Sequence, residues 1–119
     1  MKTDRTSTEN IDAEDFMRHV AAVVKQVEGV SSMSGSFTDA IPGFKSPVKG
    51  VKISEDAGKL TIELYINVFY HSKIPQLAWD IQKQVKNKME SLSDVEIKEI
   101  NIHVRGVEMP ADTVEERNI

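Results

Sequence analysis

The chain has 119 residues, 39% of them hydrophobic, and a formal net charge of −4, which suits one compact domain able to bury a core without staples. It has no cysteine, so disulfides, thiol catalysis and cysteine-ligated metal centres are excluded and a reducing cytoplasm is allowed. The acidic balance, with a pI near 5.4, argues against general affinity for phosphate backbones.

Residues 1–10 are polar and aperiodic and read as a mobile tail with no apolar signal core, while no later run approaches the roughly 20 apolar residues that span a bilayer. No membrane anchor is expected. Asp12 resembles an N-cap, with Asp15 adding negative charge to the first turn. Phe16, Val20, Val23, Val24 and Val27 then share a helical face, with Ala13 on the same stripe, and Gly29 sits where a helix commonly stops. Val30 to Gly35 reads as a short edge strand. Residues 36–50 hold Pro42, Gly43, Pro47 and Gly50 among scattered Phe37, Ile41 and Phe44, the composition of a loop with apolar anchors.

Val51 and Ile53 open a hairpin whose turn residues are Glu55-Asp56-Ala57-Gly58. In its second arm Leu60, Ile62, Leu64, Ile66, Val68 and Tyr70 alternate with polar residues, which predicts a strand over 60–70 with its even side chains buried. Ile74, Leu77, Ala78, Ile81, Val85, Met89 and Leu92 follow at helical spacing, and Pro75 suits a first turn. Alternation returns in Ile100, Ile102 and Val104, with Val95 and Ile97 in the opposite phase, so the slip across Lys98-Glu99 predicts a bulge. A strand, helix, strand unit of this length closes as a crossover between parallel strands. The expected fold is therefore α/β, a two-layer sandwich of order α-β-β-β-α-β, with a mixed sheet of about four strands and both helices on one face. Residues 11–107 form its single domain, and residues 108–119 an acidic tail.

The odd-numbered side chains then face away from the helices. Tyr65, Asn67 and Phe69 on one strand and Asn101, His103 and Arg105 on the next make a set rich in the aromatics and arginine that anchor protein interfaces. The plain alternative is a solvated sheet face whose aromatics support cross-strand pairs. Trp79 lies off the apolar stripe of the second helix, near Lys83 and Lys86. It can anchor a partner, touch a lipid headgroup or form a cation-π pair with Lys83, unless the 36–50 loop covers it, which is the expected arrangement because that loop's own apolar residues need cover.

Catalysis finds no support. His19, His71 and His103 stand in separate elements, no two at the spacing of a helical metal pair, and no nucleophile elbow, phosphate loop or dinucleotide fingerprint appears. No catalytic residue, cofactor or metal is expected. A single-stranded nucleic-acid-binding module is the competing class, because aromatics beside Arg105 on an open sheet suit base stacking. Against it stand Glu63 on the same face and the negative net charge.

Several segments resemble the alkaline shock protein family of Gram-positive envelope stress response proteins: Val27-Glu28-Gly29-Val30, Met33-Ser34-Gly35, Gly50-Val51-Lys52-Ile53, Leu64-Tyr65-Ile66-Asn67-Val68, Ile74-Pro75, Ile81-Gln82-Lys83-Gln84-Val85-Lys86, and Ile100-Asn101-Ile102-His103-Val104-Arg105-Gly106-Val107. Together they span roughly residues 11–107, and their specificity lies in order and spacing. The chain departs from commoner members at Phe69-Tyr70-His71-Ser72 and by carrying Trp79. The resemblance implies a non-enzymatic cytoplasmic scaffold or adaptor in cell-wall homeostasis, self-associating as a homo-oligomer and held at the inner membrane face by a membrane-anchored protein partner. It carries over no catalytic residues.

Overall fold

A computed structural model describes residues 13–35 and 48–109. The expected N-cap at Asp12, the N-terminal tail, residues 110–119 of the C-terminal tail and most of the 36–50 loop lie outside the described residues. The elements run α1 (Ala13–Lys25), β1 (Val30–Met33), β2 (Val51–Asp56), β3 (Lys59–Phe69), α2 (Ile74–Leu92) and β4 (Glu96–Glu108). This is the expected order.

Helix α1 buries Phe16, Val20, Ala21 and Val24, and after it the chain tightens, with the Gln26 and Val27 N–H groups donating to the carbonyls of Val23 and Val24. Val27 is buried in that turn. Gly29 follows at φ 102°. Helix α2 starts beyond Lys73 with Pro75 in its first turn, where a missing N–H leaves no intrahelical bond unmade. It buries Leu77, Ile81, Val85 and Met89, while Ile74 and Leu92 at its two ends are exposed.

Strand β3 is the axis of the sheet. Along one edge it pairs in parallel with β4 over its whole length. Both β1 and β2 pair with it antiparallel, and they share the opposite edge, because the Tyr65 N–H donates to the Gly50 carbonyl while the Tyr65 carbonyl accepts from the Ser34 N–H. The four strands thus form a mixed sheet only three strands wide. Ile62, Leu64, Ile66 and Val68 are buried in one core with the apolar faces of both helices, so both helices cover the same side. Tyr70 departs from the expected buried set. The strand ends at Phe69, and the chain turns through His71 at φ 74°, which leaves Tyr70 exposed with its ring 4.0 Å from that of His71.

The bulge expected near Lys98 is present: Leu60 pairs with Ile97 and Thr61 with Glu99, so Lys98 is the extra residue. A second slip puts Ile66 opposite Val104 but Asn67 opposite Gly106, and Arg105 is extra there. Among the described residues no helix is long and apolar enough to cross a membrane.

Candidate functional site

On the side of the sheet that neither helix covers, the parallel register sets Glu63 beside Asn101 and Tyr65 beside His103. Neighbouring residues in that register share a face, so four polar or aromatic groups meet. His103 Nε2 donates to Glu63 Oε1 at 2.6 Å. Asn101 Nδ2 donates to Glu63 Oε2 at 3.0 Å and to Glu99 Oε1 at 3.1 Å. The Tyr65 ring stacks on the His103 ring, with centroids 4.6 Å apart and planes 12° from parallel. Glu63 is therefore the hub.

Two opposing effects act on that carboxyl. Burial favours its neutral form, but the hydrogen bonds from His103 and Asn101, with the charges of His103 and Lys52, outweigh it and hold the pKa below the ordinary 4.5. Tyr65 goes the other way. Burial and the neighbouring Glu63 charge raise its phenol above 10.0, offset in part by Arg105.

The face differs from the sequence expectation in one respect. Tyr65 is 8% exposed, because the His103 ring lies against it, and it is a covered support rather than a free anchor. Phe69, 40% exposed, and the half-buried His103 are open at the surface. Asn67 is partly occupied within the sheet, its Nδ2 donating to Ser32 Oγ at 3.0 Å. Arg105 is the extra residue of the second bulge and remains exposed, near enough for its charge to act on Tyr65.

Trp79 belongs to a separate surface on α2. It is 54% exposed, most of the loop expected to cover it lies outside the described residues, and Lys83 Nζ lies 4.5 Å from its ring centroid, the cation-π geometry. The structure therefore joins six of the seven sequence-selected residues on one sheet face and leaves Trp79 apart.

Sequence reasoning placed Glu63 on this face without seeing it as the centre of the network. Its position opposite Asn101 depends on the parallel register, which periodicity alone does not fix. A second feature was also missed: an open cleft of about 510 Å³ where β3 ends, lined in part by Glu28, Phe69, Tyr70, His71 and Lys73. Among the described residues no three His, Asp or Glu side chains cluster as metal ligands. In the Glu63–His103 pair the imidazole N–H donates to the carboxylate, so each group already has a partner.

The model of the alkaline shock protein 23 family, described by a cell envelope-related function, matches residues 2–109. Spy1535 of Streptococcus pyogenes serotype M6 is 38% identical over 88 residues, which cover 69% of this chain and 64% of that protein. YqhY of Bacillus subtilis strain 168 is 30% identical over 86 residues, covering 70% of this chain and 64% of that protein. The chain thus spans 64% of the length of each of these curated relatives. Among solved structures, a MamM CTD variant in its nickel form aligns with a TM-score of 0.55 at 12% identity, covering 80% of this chain and 99% of that one. Its zinc form aligns with the same score and identity, covering 81% and 87%. At such identity the likeness concerns the fold alone.

Proposed function

The chain belongs to the alkaline shock protein 23 family, whose function is cell envelope-related, and from that membership we propose that it works as a non-catalytic scaffold or adaptor in the envelope stress response. It acts by contact, binding copies of itself and a membrane-anchored protein partner that recruits it from the cytoplasm to the inner membrane face. The observation that carries this reading is the sheet face left open among the described residues. Both helices pack on the other side, a bonded network of Glu63, Asn101 and His103 holds the side chains in place, and Phe69 is exposed further along β3. Such a face is preorganised, so little side-chain freedom is lost on contact. Turnover would need a nucleophile or acid-base pair facing a pocket, whereas the Glu63 carboxylate is already shared between His103 and Asn101. Base stacking would need the Tyr65 ring, which His103 occupies.

Photo-crosslinkers placed at Phe69 and Trp79 in cells test this directly. Capture of a protein from position 69, or of a second copy of the chain, is the expected result. Capture from position 79 alone moves the contact to α2, and RNA as the sole product from position 69 replaces the proposal with the nucleic-acid reading.

A further inference from the structure

Strand β4 has no strand on its outer side among the described residues, and its backbone shows which groups face outward. The Ile97 N–H donates to Glu90 Oε2 at 3.3 Å and the Ile100 carbonyl accepts from Gln82 Nε2 at 3.0 Å. Both partners are on α2, so these groups point away from β3. Beyond the Lys98 bulge, the even residues 100, 102 and 104 share this direction. The first half of the edge is thus capped by α2 side chains. At Ile102 and Val104 the outward N–H and C=O groups meet no partner among the described residues, and Val104 is 38% exposed.

An uncapped edge is a template for another strand, and β4 is patterned to receive a copy of itself. Two identical edges related by a two-fold axis meet antiparallel. With the axis at Ile102, Ile100 faces Val104 of the copy and Asn101 faces His103. Glu99 then faces Arg105 twice over, once on each side of the axis. This register pairs outward-facing residues with outward-facing residues, as a ladder requires, and it ends at the two bulges. Glu99 is held for the role by Asn101 Nδ2, on the same sheet face as the Arg105 charge that acts on Tyr65. Gln82 need not leave, because a carbonyl oxygen has two lone pairs.

Resting on the reading that this protein works by assembly, we propose that a second copy of the chain pairs antiparallel along β4 between Glu99 and Arg105, joining two sheets into one with both helix layers on the same side. The edge is adjacent to the uncovered face, so pairing sets two copies of the Glu63–His103 network side by side.

Sedimentation equilibrium of the full chain tests it. Glu99→Arg alone and Arg105→Glu alone each set like charges across the axis, and each weakens dimerisation by about tenfold or more. The double exchange restores opposite charges and recovers the wild-type constant to within about threefold. Val104→Pro removes an outward N–H and also weakens the dimer, with circular dichroism checking that the monomer stays folded. A dimer indifferent to all four variants overturns the β4 edge and leaves assembly through another surface. A wild-type chain that stays monomeric overturns the edge and self-association together.

Discussion

Gly50 sits where β1 and β2 abut along the edge of β3, at φ 78°. A Cβ built there would lie 2.7 Å from the Tyr65 carbonyl oxygen and 3.0 Å from Met33 Cε. The methionine can give way, but the carbonyl is fixed in the sheet. Gly50→Ala therefore adds a backbone clash to a left-handed conformation, and urea unfolding should show a loss of about 3 kcal/mol. Gly58, at φ 83° with open space around it, carries only the conformational part, so Gly58→Ala should cost about 1 kcal/mol. The neighbouring Ala57 is held at φ 54° in the two-residue turn between Asp56 and Lys59. Both turn residues have positive φ, the hairpin geometry that favours asparagine or glycine. Ala57→Asn is expected to stabilise the fold by about 0.5 kcal/mol, read as a higher urea midpoint with an unchanged slope.

The pairing of β3 with β4 turns a line of side chains into a charged network. Glu63 has a carboxyl pKa below 4.5 in the fold, so its ionised form stabilises the native state. That contribution is complete above the unfolded value and disappears as pH falls through the lower folded value. Glu63→Gln should therefore cost about 1 kcal/mol at pH 7, and the gap between variant and wild type should close below pH 4.5. A gap independent of pH between 7 and 3 would mean that the carboxylate's charge plays no part. Much of this element-level structure was legible in the sequence. Alternation over Leu60 to Val68 marked the buried face, helical spacing marked α2, and the phase slip exposed the Lys98 bulge. The second bulge was not legible from periodicity, since Asn101, His103 and Arg105 keep perfect alternation. Its signal was Gly106, where a Cβ would stand 2.7 Å from Asn67 Oδ1, a close approach of the kind that glycine in a strand marks. The stacking of His103 on Tyr65 depends on the register between distant strands, and no local pattern encodes it.

At the scale of the molecule, one core holds both layers together. Val20 and Val24 of α1 and Ile81 and Val85 of α2 belong to the same cluster as Ile62, Leu64 and Ile66, all of them fully buried. Neither helix has a private core on which to fold alone. Val24→Ala is expected to cost about 2 kcal/mol and Ile81→Ala about 3 kcal/mol, from lost burial and the cavities left behind. Because the cluster is continuous, both variants should lower one shared transition rather than split it, with far-ultraviolet and near-ultraviolet circular dichroism moving together. Trp79 provides an internal contrast. Standing outside the core beside Lys83, it should be strongly quenched by acrylamide in the native state and unchanged by Val24→Ala, while Lys83→Ala alters its emission. Two separated transitions would show that α1 docks independently on a sheet completed by α2. The uncovered face and the β4 edge would then rest on a platform able to lose one helix while the other stays packed, whereas a single transition makes that platform rigid up to global unfolding, as a surface that acts by contact requires.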